Sequence, residues 1–269
     1  MSVITISRGS YSYGKEIAEK LARRLGYACI ARDVLLEASR EFNIPEATLS
    51  HALSAQPSFL DRISAKKHRY IAYIQAAVLR CLNNDNVVYH GFAGHFFVKD
   101  VPHVLKVRVI ADLEDRAQLV MARDGISKED ALRFLAKLDE NRTKWGQFFY
   151  GINTSDPLLY DLVIHVKRIS VEEAVQIISD SARLSRFQAT PESRQQMNDL
   201  CLAAEVKASL LDIDAGIEVL AQNGEVTIQT RAPQFVEKGL GQHIKDIVEK
   251  ATGARGVKVE ISPISPPKK

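Results

Sequence analysis

One stretch near the start of the chain, residues 2–26 (SVITISRGSYSYGKEIAEKLARRLG), constrains the fold more than any other. Residues 3–6 are a short apolar run rich in β-branched side chains, as in a buried parallel strand. A small polar loop follows, and beyond Gly14 apolar residues recur at helical spacing until Gly26, which is a plausible helix end. Strand, glycine-bounded loop and helix in this order are the layout of a phosphate-binding loop.

The spacing inside the loop supports this interpretation, because Gly9, four residues, Gly14 and then Lys15 fit the pattern G-x-x-x-x-G-K. A loop that leads into a helix N-terminus aims several backbone N–H groups at one point, and the helix dipole adds positive potential. Glycines let phosphate oxygens approach the backbone, and a lysine acts as a point charge on the outer phosphates. We expect the loop, including Ser10 and Ser12, to bind phosphate; a plain glycine-containing turn is the alternative.

The residue after this lysine departs from the motif. The motif has Ser or Thr, whose hydroxyl helps to hold magnesium, whereas this chain has Glu16. A carboxylate beside an anion site either points to solvent or ligates the metal itself. If it does neither, the loop binds nucleotide poorly.

Composition limits the class of protein. A length of 269 residues with 46% hydrophobic residues suits two domains with sizeable cores. The net charge of +3 is too small to indicate a nucleic-acid partner. The three cysteines are scattered, so we expect neither a disulfide framework nor a zinc site. With no signal-peptide pattern and no run long enough to span a bilayer, we expect a soluble cytoplasmic protein.

Strand-like and helical patterns alternate as far as about residue 185, which predicts a parallel α/β sheet flanked by helices. Further strands are predicted at residues 27–30, 87–91, 104–111 and 160–166, and one long helix at residues 59–82. The third predicted strand ends at His90 and Gly91, and a small-residue turn follows, which is where such a sheet binds ligands. His90 and His95 have either a ligand contact or an ordinary structural role there.

A group of arginines follows the fourth predicted strand. Arg116 and Arg123 lie two helical turns apart, and Asp139 with Arg142 forms D-x-x-R on the next helix. Transfer of a phosphoryl group requires positive charge around it, and these side chains are candidates to supply that charge. Asp139 either orients Arg142 or forms an ordinary surface ion pair with it.

The composition changes after residue 187. Residues 188–196 are polar and contain Pro191, which predicts a linker. Residues 197–262 then predict a small α+β domain with the order helix, hairpin, helix and strand; Asn223-Gly224 marks the hairpin. We expect two helices to cover one face of its sheet, and the tail, residues 263–269, to be disordered.

Several of these segments together resemble the cytidylate kinase-like family of P-loop kinases. They are the start SR-x-x-x-x-x-G-[KR]-E-I-A, the strand and helix VRVIADLEDR, the D-x-x-R helix with its later Phe148 and Phe149, and the segment DP-x-x-YDL. The resemblance covers a domain at residues 1–187. It implies a P-loop kinase that uses ATP and Mg²⁺ and transfers the γ-phosphoryl group to a nucleoside monophosphate. The helical insert between the second and third strands would then hold the acceptor.

The resemblance also implies residue roles. Lys15 and the three arginines named above, Arg116, Arg123 and Arg142, would be catalytic. The loop residues would hold ATP, and the acceptor would contact the remaining candidates. The loop set is Gly9, Ser10, Ser12, Gly14, Lys15 and Glu16, and the acceptor set is Asp33, Gly91 and Asp139.

The chain departs from the family pattern at several of these places. Tyr11 and Tyr13 stand where the family's loop is richer in glycine, Phe92 stands where an arginine is usual, and Ala31 where an acid is usual. These departures favour an alternative function, a catalytically degenerate kinase fold that binds a nucleotide or another ligand without turnover. Residues 196–262 resemble a BON domain, which implies a protein, ligand or membrane-surface partner.

Overall fold

A five-stranded parallel sheet forms the centre of the larger unit in the computed structural model, which describes residues 2–31, 33–54, 65–91, 94–232, 237–251 and 253–263. The strand order is β2-β3-β1-β4-β5, and every neighbouring pair is parallel. The strands are β1 (Val3–Arg8), β2 (Ala28–Ile30), β3 (Val87–Tyr89), β4 (Val104–Ala111) and β5 (Leu162–Val166). The predicted fold class is therefore confirmed. The fifth strand begins two residues later than predicted, because Pro157–Leu159 forms a 3-10 turn ahead of it.

Helices cover both faces of this sheet. They are α1 (Gly14–Leu25), α2 (Asp33–Phe42), α3 (Glu46–Ser54), α4 (Ala65–Leu82), α5 (Gly94–Phe97), α6 (Leu113–Asp124), α7 (Lys128–Tyr150) and α8 (Val171–Ala182). Alternate residues of a strand point to opposite faces, so Val3 packs in the core beneath α2 and α4, while Ile4 packs in the core beneath α1 and α8. N-terminal caps mark the start of two of the helices. The Ser127 side chain accepts a hydrogen bond from the backbone N–H of Asp130, and Ser170 forms a reciprocal capping box with Glu173.

A small mixed sheet forms the C-terminal unit. Its elements are α9 (Pro191–Leu210), β6 (Glu218–Gln222), β7 (Glu225–Ala232), α10 (Glu237–Ala251) and β8 (Gly256–Pro263), with strand order β6-β7-β8. Strands β6 and β7 are antiparallel, whereas β7 and β8 are parallel. The turn between β6 and β7 has positive φ at Asn223 (53°) and Gly224 (81°), as the predicted tight hairpin requires. The two helices pack against each other and bury Val206, Val226 and Ile244 in one core.

Helix α9 replaces most of the predicted linker. Thr190 caps the helix with Ser193 in a reciprocal box, and Pro191 occupies its first turn, so the polar residues 191–196 are a helix start. One side of α9, including Met197 and Ala204, belongs to the core under α4, and another side, including Val206, belongs to the small C-terminal core. The two units therefore share one helix.

Some predictions fall outside the described residues: Phe92, the start of the long helix at residues 59–64, and nearly all of the tail (residues 264–269). Within the parts of the chain that the structure describes, no helix is both long and apolar enough to cross a bilayer.

Candidate active site

The loop between β1 and α1 has an unusual backbone. Tyr11 and Tyr13 adopt left-handed conformations, with φ of 60° and 63°. Bulky residues rarely adopt such angles, which glycine reaches without a steric cost. Gly14 is required for another reason: a Cβ atom there would lie 2.7 Å from the Cβ atom of Arg8. Two tyrosines of the loop thus adopt a backbone conformation that glycine favours.

Contacts with β4 and α6 fix this loop. The Ser12 hydroxyl is buried, 2.9 Å from the Gly9 carbonyl oxygen and 3.0 Å from that of Val109, and donates its hydrogen between them. Arg116 Nε donates to the carbonyl oxygen of Ser10 at 2.6 Å. The ring of Tyr11 lies under the guanidinium of Arg123, 4.6 Å from the ring centroid. The serines of the loop therefore hold its shape.

The loop ends at the N-terminus of α1, where the first backbone N–H groups of a helix have no acceptor within the helix. Lys15 lies there with its ammonium 3.7 Å from the Glu19 carboxylate and its side chain 66% exposed. Glu16 turns along the helix surface to Lys20, at 2.8 Å. Of the possibilities left open by the sequence, Glu16 is thus at the surface in an ion pair.

A small cavity of about 150 Å³ lies at the carboxyl ends of β1 and β4; we call it the arginine cavity. Four arginines line it, and Asp139 is the one carboxylate among its described lining residues. The arginines are Arg8, Arg108, Arg116 and Arg142. Such an excess of positive charge in a confined space favours an anion.

Burial strengthens the electrostatic effect of these arginines. Arg116 is 8% exposed, and its Nη2 atom lies 2.8 and 2.9 Å from the two carboxylate oxygens of Asp139. Arg142 donates to the carbonyl oxygen of Arg8. Burial, followed by the nearby charge of Arg8, lowers the pKa of Arg142 to about 10, and burial also lowers the pKa of Arg8. Guanidinium groups stay protonated in proteins, so a bound anion would relieve the mutual repulsion of Arg8 and Arg142.

A larger cavity of about 480 Å³ adjoins the first and shares Arg8, Gly91 and Arg142 with it. We call it the insert cavity, because helices α2, α3 and α4 of the insert form much of its wall. Its apolar lining residues are Ala31, Val34, Leu35, Leu53, Ile74 and Leu138. Lys15 and His90 also line it. One end is therefore cationic, and much of the remaining wall is apolar.

The family match agrees with this architecture. The cytidylate kinase-like family matches residues 3–168, more than half of the chain. The chain belongs to the cytidylate kinase-like family. It is 28% identical over 181 residues to the cytidylate kinase of Pyrobaculum aerophilum, spanning 67% of this chain and 92% of that enzyme. The same identity and alignment length relate it to the cytidylate kinase of Ignicoccus hospitalis, with 97% of that enzyme covered.

A solved structure supports the fold. An uncharacterized protein from Eubacterium ventriosum superposes with a TM-score of 0.52 at 18% identity, covering 68% of this chain and 99% of that one. At this identity the likeness concerns the fold alone.

The structure brings together most of the residues that the sequence indicated for this kinase-like site. Gly9, Gly91, Arg116, Asp139 and Arg142 line the arginine cavity. Lys15 lines the insert cavity, Gly14 packs beneath Arg8, and Ser10 and Ser12 bond within and around the loop.

Two candidates lie elsewhere. Arg123 is 52% exposed, paired with Asp124 and stacked on Tyr11, and it lines neither cavity. Asp33 lies at the start of α2 in a separate groove with Glu37 and other charged residues.

The sequence analysis missed Arg8 and Arg108. Arg8 is the last residue of β1 (VITISR), and Arg108 lies within β4 (VLKVRVIA). A charged side chain in a strand rich in β-branched residues was the available signal. Arg108 donates to the hydroxyl of Tyr160 at 3.2 Å, and the same hydroxyl lies 3.2 Å from His95 Nε2. Burial lowers the pKa of His95 to about 3, so this imidazole is neutral.

The residues present fit nucleotide phosphates better than they fit a protein-held magnesium ion. Four arginines line the arginine cavity beside Gly9, and the loop leads from there into the N-terminus of α1. The motif position for a magnesium-binding hydroxyl is Glu16, which is paired with Lys20, and Asp139 is paired with Arg116. No cluster of three or more metal-ligating His, Cys, Asp or Glu side chains occurs among the described residues.

Proposed function

We propose that this protein transfers the γ-phosphoryl group of ATP to a nucleoside monophosphate or a similarly small phosphorylated acceptor. The observation that carries the proposal is the arginine cavity, in which four arginines and one carboxylate lie beside Gly9 of the phosphate-loop motif and which adjoins the insert cavity. A phosphoryl group carries several negative charges, and catalysis of its transfer consists mainly of positioning and charge neutralisation.

The residues divide the work as follows in this proposal. The backbone of the loop and Lys15 hold the outer phosphates of ATP, and the insert cavity holds the acceptor. Arg8 and Arg142 line both cavities, so they lie at the border that the phosphoryl group crosses. Asp139 and the Ser10 carbonyl hold Arg116, which supplies a fixed positive charge. A phosphate-bound magnesium ion would add further neutralisation.

A steady-state assay with Mg-ATP and a panel of nucleoside monophosphates tests this function. Arg142→Met keeps the aliphatic stem and removes the buried charge, and we expect kcat/KM to fall by about 10²–10³-fold. Arg133→Met is the matched control on the same helix, since Arg133 is 77% exposed and bonds to Asp130; it should retain full activity. Absence of turnover with every monophosphate would refute the kinase function.

A second candidate function is nucleotide or ligand binding without turnover. It is supported by Lys15, which pairs with Glu19, and by Glu16, an acid at the motif's hydroxyl position. Calorimetry with ATP separates the two candidates when it is combined with the assay above. Binding that Lys15→Ala abolishes, without turnover, supports the second function.

We also propose that the C-terminal unit is a BON-like binding domain for a protein, ligand or membrane surface. The order of α9, the hairpin, α10 and β8 supports this proposal. Co-sedimentation of the full chain with anionic vesicles tests the membrane-surface option. Protein that stays in the supernatant at low salt would exclude that option.

A further inference from the structure

Two buried polar atoms of the insert cavity have no hydrogen-bond partner among the described residues. They are Nδ1 of His90 and Oδ1 of Asn141. His90 is 6% exposed and directly follows β3, and Asn141 precedes Arg142 on α7. Both side chains line the same cavity.

Such orphan atoms call for an explanation, because buried polar groups in folded proteins are nearly always hydrogen-bonded. Six side chains in the described chain carry one. The other four, Thr5, Arg69, His103 and Ser179, line neither the arginine cavity nor the insert cavity. The insert cavity therefore combines two unsatisfied polar groups with space for a ligand.

The rest of this cavity defines what such a ligand looks like. Arg8 and Arg142 give it a cationic part, which suits the phosphate of an acceptor. Val34, Leu53 and other apolar side chains suit the flat faces of a ring. A volume of about 480 Å³ is in the range of small-molecule sites.

The two orphan groups are suited to a neutral polar edge. Burial lowers the pKa of His90 to about 4, so the imidazole is uncharged at neutral pH, and either ring nitrogen can carry the hydrogen. The Asn141 amide offers an acceptor and two donors. This neutral pair would not balance the charge of an ionic group. It can hydrogen-bond a base that has adjacent donors and acceptors.

We infer that His90 and Asn141 determine acceptor specificity by hydrogen-bonding the polar edge of a nucleobase whose phosphate lies at Arg8 and Arg142. This assignment rests on the proposed function, because it takes the insert cavity as the acceptor site.

Calorimetry of the full chain with cytidine 5′-monophosphate, uridine 5′-monophosphate and ribose 5-phosphate tests the inference. Ribose 5-phosphate has the sugar and phosphate but no base. We expect the wild-type chain to bind one of the two nucleotides at least tenfold more tightly than ribose 5-phosphate. Equal affinity for all three, or no binding of any, overturns the inference.

Variants separate recognition from folding. Asn141→Leu is nearly isosteric, and we expect it to weaken binding of the preferred nucleotide at least tenfold and that of ribose 5-phosphate less than twofold. The melting temperature without ligand should stay level or rise, because an unsatisfied group is removed. His90→Gln keeps a neutral donor and acceptor and should retain more affinity than His90→Leu.

Thr5→Val is the matched control, because it removes an orphan hydroxyl that lines neither cavity. It should leave nucleotide affinity within twofold of wild type. Unchanged nucleotide affinity in both Asn141→Leu and His90→Leu would refute the inference. Binding requires no ATP, so base-dependent binding without turnover would contradict the kinase function and leave only the base-binding role of His90 and Asn141. Turnover with unaffected variants would remove this inference alone.

Discussion

Replacement of Tyr13 tests whether the phosphate loop stores backbone strain. Tyr13 precedes α1 with φ 63° and ψ 1°, a left-handed conformation without a side-chain cap. Tyr13→Ala and Tyr13→Gly both lose the packing of the ring against the core under α1, so comparison of the two variants cancels that loss. They differ by a single methyl group, which is the source of the steric cost.

The expected difference follows from two opposing effects. A Cβ atom in the left-handed region costs roughly 1–2 kcal/mol. Glycine has more conformational freedom in the unfolded chain, which offsets this by about 0.4–1 kcal/mol. The glycine variant should therefore be more stable than the alanine variant by roughly 0.5–1 kcal/mol.

Urea unfolding at one temperature, with equal slopes for the two variants, measures this difference. Glu19→Ala and Glu19→Gly are the control variants, because Glu19 is an exposed residue inside α1. In a helix interior glycine is the less stable residue by about 1 kcal/mol, so the sign at position 19 should be opposite. An alanine variant at least as stable as the glycine variant at position 13 would refute the strain argument.

Three further predictions concern the histidines, the Arg116–Asp139 ion pair and the shared helix. Burial lowers the pKa of His90 to about 4 and that of His95 to about 3. At pH values below the ordinary histidine pKa of 6.5, the unfolded chain therefore binds more protons than the folded chain. The free energy of unfolding should decrease as the pH is lowered from 6.5 to 4.5, by up to about 1.4 kcal/mol per pH unit for each histidine. Denaturant midpoints that stay level over this range would contradict the prediction. Asp139→Asn leaves the buried Arg116 without its anion and should cost about 1–2 kcal/mol of unfolding free energy, whereas Asp130→Asn, at an exposed pair, should change little. Calorimetry should show one unfolding transition, because α9 carries core residues of both units; two resolved transitions would disprove this coupling.

The sequence by itself determined those features that depend on neighbours within a few residues. The strand, loop and helix at the start, the capping box at Ser170 and the hairpin at Asn223-Gly224 all have local physical causes, and all are present. Alternation of strands and helices was enough to predict the parallel sheet, because parallel strands need crossover connections.

Which residues reach the site was less predictable from the sequence, because this depends on which strand ends and which helices lie next to one another in the fold. Arg116 and Arg123 lie on one helix seven residues apart, yet the first is buried beside the loop and the second is exposed on Tyr11. Nothing local distinguishes these two arginines. Arg8 and Arg108 became site residues only because β1 and β4 are neighbours in the sheet.

Tertiary structure alone decided two further features. The polar start of α9, with Pro191, resembled a linker, and only the structure shows that it begins a helix with apolar residues on two sides, one for each core. The orphan atoms of His90 and Asn141 likewise exist only where chain segments 51 residues apart enclose them. A sequence specifies which groups need partners, and packing determines which of them are left for a ligand.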